Sequence, residues 1–127
     1  MGKKFIIICL FLLPFSAFAH SPLVSLNPEK IEWLPKNDGH NVEFFVVPEM
    51  NSLPATSEID DAHSVVFTVS GIYLYGCTPH ADMGMIALII VGNDFHNLEA
   101  LKNTKLSRVA KTVLKRLITI TQSAPKS

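Results

Sequence analysis

The sequence has very little cysteine and no excess of either charge. Its 127 residues hold 2 cysteines, and 11 basic residues face 11 acidic ones. Two cysteines cannot staple a disulfide-built mini-domain. Balanced charge excludes a protein that grips nucleic acid through a strong basic field. The same balance excludes an acidic disordered tail. No apolar run has membrane-spanning length: the stretch from Phe5 to Phe15 falls short of about 20 residues, and Pro14 interrupts it. There is no internal repeat, and no twin arginine near the N-terminus.

What the front of the chain does have is a pattern. Lys3 and Lys4 precede that apolar stretch, which ends in Ala17-Phe18-Ala19. A positive start, a short apolar centre and small residues at an A-x-A site make a secretory signal peptide. The sequence therefore divides into a leader over residues 1–19 and one domain over 20–127. Cys9 lies inside the apolar centre, far from the cleavage site, and is not a lipidation site. Removal of the leader leaves nine basic and eleven acidic residues and one cysteine, Cys77. A domain of this size buries roughly two-thirds of its unfolded surface without staples. A lone thiol in an oxidising compartment invites oxidation unless it is buried or bound.

Along the domain the signals are those of short strands followed by helices. Leu23, Val24 and Leu26 suit one strand, and Ile31, Trp33 and Leu34 another. Asn37-Asp38-Gly39 is a turn, with His40 directly after it. Val42 and Phe44 to Val47 read as strand, and Pro48 to Asp61 as loop. Val65, Phe67 and Val69 alternate with Ser64, Val66 and Thr68, as in a half-buried strand. Ile72 to Gly76 forms another strand. Met85 to Val91 is a continuous apolar run, the mark of a strand buried on both faces. Asn97 to Asn103 suits a short helix. Beyond the N-cap candidate Ser107, residues Val109, Val113, Leu117 and Ile120 define an apolar helix face, with Lys111, Lys115 and Arg116 opposite. The order predicts a mainly β protein, a sandwich with helices appended.

The chemistry concentrates between the last two strands. Cys77, His80 and Met85 share one loop, and His40 sits on another turn. Taken singly, each has a bland reading: a buried small hydrophobe, a surface imidazole, the start of a core strand. Together, two imidazoles, a thiolate and a thioether are the ligand set of a blue-copper electron-transfer site. The soft sulfurs favour Cu(I), and imidazole accepts either oxidation state. Zinc also takes Cys and His, but a methionine gives no reason to choose it.

Gly39-His40-Asn41-Val42-Glu43 and Cys77-Thr78-Pro79-His80, with Met83-Gly84-Met85-Ile86-Ala87-Leu88, resemble the pseudoazurins, small periplasmic blue-copper proteins of the cupredoxin type. The resemblance runs from about Pro22 to the C-terminus. It implies a Greek-key β-sandwich with two C-terminal helices and a single type 1 copper held by His40, Cys77, His80 and Met85. It implies an electron carrier with no substrate turnover, located in the periplasm and serving a redox enzyme such as a nitrite reductase or a cytochrome. It further implies that Asn41 ties the two ligand loops together near Thr78, with its backbone N–H directed at the Cys77 sulfur. Pro79, which has no N–H, adds no second hydrogen bond to that sulfur. His80 is implied to lie near the surface, with Met83 and Pro35 in an apolar docking patch. Gly39 is expected to let its turn approach the metal closely.

The sequence departs from that family in two respects. Only twenty residues of the domain precede His40, which leaves the sandwich N-terminally shortened by one strand. An open sheet edge is then expected, on a protein otherwise read as a monomer, and such an edge invites pairing. Lys36 is the one lysine close to the ligand loops, whereas Asp38, Glu43 and Asp82 carry negative charge there. His20, once N-terminal, offers a separate chelating site for Cu(II), and His63 and His96 read as surface residues. Two other functions use the same four ligands: copper delivery or sequestration, and a decayed cupredoxin with weak copper binding.

Overall fold

The computed structural model describes residues 23–26, as backbone, and residues 29–123. The expected leader, His20 and residues 124–127 lie outside the described residues. Among the described residues six strands and two helices follow in chain order: β1 (Leu23–Leu26), β2 (Lys30–Trp33), β3 (Glu43–Val46), β4 (His63–Val66), β5 (Gly71–Gly76), β6 (Ile86–Val91), α1 (Leu98–Lys102) and α2 (Arg108–Ser123). Single 3-10 turns occupy Met50–Ser52, within the segment read as loop, and Ala81–Met83, within the Cys77 loop.

β5 and β6 are the centre of the fold. They pair antiparallel without a slip, from Gly71 opposite Val91 to Gly76 opposite Ile86. All six residues of each strand are buried. The strand period of two explains why both faces are apolar. Tyr73, Tyr75, Ala87, Ile89 and Val91 point into one core, shared with Ile31, Trp33, Phe44 and Phe67. Ile72, Leu74, Ile86, Leu88 and Ile90 point into a second core, shared with Leu101, Ala110, Leu114, Leu117 and Ile118. The architecture is therefore three layers: the helices, a four-stranded sheet ordered β1-β6-β5-β3, and a two-stranded sheet of β2 and β4. β1 joins β6 in parallel, and the other pairs are antiparallel.

The helices are mainly where the sequence puts them, but α2 is rotated relative to its expected apolar face. Its buried residues are Ala110, Leu114, Leu117, Ile118 and Thr121. Of the expected face only Leu117 is buried; Val109 and Ile120 are exposed. The small Ala110 allows close approach to the sheet, and the Thr121 hydroxyl is satisfied by the Leu117 carbonyl at 2.8 Å. A count of large apolar residues misses both. Ser107 caps α2 as expected, its Oγ accepting from the Ala110 N–H at 3.0 Å. Asn97 places α1 by bonding both the N–H and the carbonyl of Ile72 in the sheet.

His63 is also a correction. It is half-buried rather than superficial, its Nε2 is enclosed, and its ring lies 6.2 Å from that of Trp33 opposite it. His96 is exposed as expected. Its backbone N–H, and then its ring, hold the Asp94 carboxyl below its ordinary range.

Burial, and next the nearby Glu49 carboxylate, push the Tyr73 phenol above its ordinary value of 10.0, against a lowering by the bond to the Val69 carbonyl. The folded state thus holds this proton more tightly than the unfolded chain. Its contribution to stability is complete below about pH 10 and is lost as pH rises through the folded-state value. Denaturant melts from pH 8 to 11 should show stability falling at the alkaline end, and Tyr73→Phe should flatten that slope. An equal slope in the variant assigns the loss to other groups.

Candidate metal centre

The sheet ends where the candidate ligands begin. Cys77 follows β5 directly, and Met85 precedes β6 directly, so one ladder holds both. The Cys77 N–H bonds the Met85 carbonyl at 3.2 Å. Gly76 stands beside that carbonyl so closely that a Cβ there would collide with it. Between the strands the chain winds tightly. His80 and Ala81 both donate to the Cys77 carbonyl, and the N–H groups of Met83 and Met85 both bond the His80 carbonyl. The Ser107 hydroxyl ties this loop to the start of α2 by donating to the Asp82 carbonyl at 2.7 Å.

His40 comes from the turn before β3. Gly39 takes a φ of 89°, a left-handed conformation that suits glycine, while a Cβ at this position would meet nothing within 4 Å. Backbone conformation, rather than close approach, is thus the reason for glycine there. The turn is held from a distant segment. The Asp60 carboxylate accepts from the Gly39 N–H at 2.6 Å and the His40 N–H at 3.3 Å, and the Asp60 N–H donates to the His40 carbonyl at 2.8 Å. Asp60 itself has φ 64°, which aspartate tolerates better than most residues.

The two loops meet so that three donor atoms converge. The Cys77 Sγ lies 3.6 Å from His40 Nδ1 and 3.3 Å from His80 Nδ1. All three donor atoms lie within 4.8 Å of one another. A thiolate and an imidazole bound tetrahedrally to one zinc-sized ion sit about 3.5 Å apart, from bond lengths of about 2.3 and 2.0 Å. The sulfur–nitrogen distances therefore fit one shared ion. Cys77 is buried and forms no disulfide, and both imidazoles are half-buried. Met85 is buried and lines a shallow pocket of about 60 Å³ together with His40, Trp33, Pro35 and Asp61. The fourth expected ligand is thus brought to the same end of the sandwich.

Around these residues lies the polar net implied by the family resemblance, with additions. Asn41 Nδ2 donates to the Thr78 Oγ1 at 2.8 Å, and the Thr78 N–H returns a bond to Asn41 Oδ1 at 2.8 Å. The Thr78 hydroxyl in turn donates to Glu43 Oε2 at 2.6 Å, a short bond to a charged acceptor. Ser57 secures the far side, accepting from Asn41 at its carbonyl and from the Val42 N–H at its hydroxyl. The Gly39 carbonyl also lies beside the sulfur, at 4.0 Å. Glu43, Ser57 and Asp60 were not singled out by the sequence as site supports. Ser57 and Asp60 lie in a loop with no periodicity, and only contact across the fold gives them a role.

A model of the family described as copper binding proteins, plastocyanin/azurin family, matches residues 17–92. The chain belongs to this family, on its pseudoazurin branch. It is 37% identical over 95 residues to a putative pseudoazurin of Rhizobium leguminosarum bv. viciae, covering 70% of this chain and 57% of that one. It is likewise 37% identical over 92 residues to a pseudoazurin of Methylorubrum extorquens, covering 70% and 62%. The chain thus spans about three-fifths of the length of these relatives. Among solved structures, a pseudoazurin from Sinorhizobium meliloti superposes with a TM-score of 0.74 at 28% identity, covering 82% of this chain and 83% of that one. The pseudoazurin from Methylobacterium extorquens gives 0.70 at 33% identity, covering 77% and 81%. The expected fold class, mainly β with two C-terminal helices, holds. Copper is the ion that this family and this donor set call for.

Asp60→Ala removes the acceptor for two backbone N–H groups and should cost about 1–3 kcal/mol in thermal melts of the copper-free protein. It should also weaken copper binding, because the His40 turn loses its anchor. Asp60→Asn keeps an acceptor and should recover most of both. An alanine variant with unchanged melting and affinity would show that the turn holds itself.

Proposed function

We propose that this protein is a periplasmic single-electron carrier rather than an enzyme, with copper held by His40, Cys77, His80 and Met85. The observation that carries the reading is the convergence of two imidazole nitrogens on one buried free thiol. Copper bound there supplies one-electron chemistry by alternating between its cuprous and cupric states. The residues do the rest. Cys77 and the two histidines are held by backbone bonds within their loops and by the Asn41–Thr78 pair between them. Donors fixed in this way need little rearrangement when charge changes, which keeps the barrier to electron exchange low.

His80 is the donor set among exposed neighbours. Thr78, Pro79 and Asp82 are exposed, and Met83 is 64% exposed. Leu34 and Pro35 are exposed near His40. Together they offer a redox partner a contact face that is apolar at its centre. The partner is a periplasmic redox enzyme of the nitrite reductase or cytochrome type. Asp60 and Asp61 lie on the His40 side of that face, with Lys36, so the complementary surface is less acidic than one met by a ring of lysines. The location rests on the leader pattern over residues 1–19. Among the described residues no helix is long and apolar enough to cross a membrane.

Copper(II) added to the protein should produce an intense visible charge-transfer band that a reductant bleaches and an oxidant restores. Cys77→Ser should abolish the band while circular dichroism remains unchanged. Colour that does not cycle, or copper that passes readily to an apo-protein acceptor, would favour delivery over electron transfer. A folded protein with its thiol reduced and no band would sink the assignment.

The exposed Asp82 beside Met83 adds a negative charge near the site. Such a charge favours the more positive cupric state. Asp82→Asn should therefore raise the reduction potential, on the order of 10 mV given screening by water. A lowered potential would contradict this.

A further inference from the structure

Among the described residues β2 pairs with β4 alone, so the sandwich sets two strands against four. A two-stranded sheet is marginal, and among the described residues no strand lies against the other edge of β2, a free edge whose backbone groups are open to pairing. Which groups these are follows from one bond. The Phe67 N–H donates to the Glu29 carbonyl at 3.0 Å, and the pairing Lys30 with Val66 places Glu29 opposite Phe67. In an antiparallel ladder such bonded pairs alternate. The N–H and carbonyl groups of Glu29, Ile31 and Trp33 therefore face β4, and those of Lys30 and Glu32 face the free edge. The side chains alternate in step with them: Ile31 and Trp33 are buried, and Lys30 and Glu32 are exposed on the outer face. No ion pair of Lys30 or Glu32 is recorded among the described residues.

We propose that the free edge of β2 binds a second copy of this chain, strand against strand about a two-fold axis through Ile31. In that register Ile31 meets its own mate, and Lys30 lies opposite Glu32 of the other copy, on both sides of the axis. Lys30 and Glu32 supply the edge-facing backbone groups, so each of these opposed pairs exchanges two backbone hydrogen bonds. The same pairs bring opposite charges together on the outer face, which stabilises a ladder. Neighbouring registers fail. An axis through Lys30 or Glu32 opposes like charges, and an axis between residues sets a buried side chain opposite an exposed one. The strand is thus complementary to itself in one arrangement, as a two-fold interface requires. The product is a continuous sheet ordered β4-β2-β2-β4. The free edge of β4 lacks this property, because it presents Ser64 and Val66.

Sedimentation of the copper-loaded protein, purified as the cell produces it, tests the proposal across a concentration series. A reversible dimer is expected. Glu32→Lys sets lysines opposite one another at both pairs and should weaken the dimer about tenfold or more. Lys30→Glu combined with Glu32→Lys restores opposite charges and should restore dimerisation. Hydrogen exchange of the unaltered protein gives a second measurement, independent of whether the variants fold. The amides of Lys30 and Glu32 should become protected as concentration rises, whereas that of Ile31 is protected throughout. A protein that stays monomeric at all concentrations overturns the proposal. So does a dimer insensitive to Glu32→Lys, or one in which the Lys30 and Glu32 amides exchange freely.

Discussion

The β5–β6 ladder is the constraint from which the rest of this structure follows. Twelve buried residues in one unslipped pair present an apolar surface on each side. Neither surface can face water, so a layer must cover each: β2 and β4 on one side, α1 and α2 on the other. The same ladder sets the geometry of the metal end. It delivers Cys77 from the end of one strand and Met85 to the start of the next, joined by a backbone hydrogen bond. The intervening loop has little freedom, because its carbonyls at Cys77 and His80 each collect two N–H groups. The candidate soft donors thereby inherit the rigidity of the core.

The remaining candidate donor arrives from elsewhere in the chain and is positioned by polar contacts instead. His40 lies on a turn held by Asp60 and joined to the Cys77 loop through Asn41, Thr78 and Glu43. These bonds lie in partly exposed surroundings, so each contributes modestly, about 1 kcal/mol. Their effect is geometric: they decide whether an imidazole reaches the thiolate. The division holds the donor atoms still while His80 stays half-buried among exposed neighbours.

Much of this was legible in the sequence. The apolar run Met85–Val91 was consistent with a strand covered on both sides, as Ile86–Val91 is, and C-x2-H-x4-M with a distant histidine pointed to a soft-metal site. Helix α2 shows where such reading fails. Val109 and Ile120 are the larger apolar residues, yet Ala110 and Thr121 are the buried ones, because closeness of approach and a satisfied hydroxyl matter more there than side-chain size. His63 fails similarly: a polar residue opposite Trp33 becomes enclosed because its strand completes the core.

By itself, then, the sequence determined the alternation of the strands, the donor types and the turn at Gly39, since these depend on residues close together in the chain. Only the tertiary structure decided that Asp60 holds the His40 turn, that Glu43 accepts from Thr78, and that two loops thirty-seven residues apart bring an imidazole within 3.6 Å of a thiol. Those contacts join segments with no periodic relation. Nothing in their local sequence marks them until the packing of β3 against β5 sets the ends of both strands side by side.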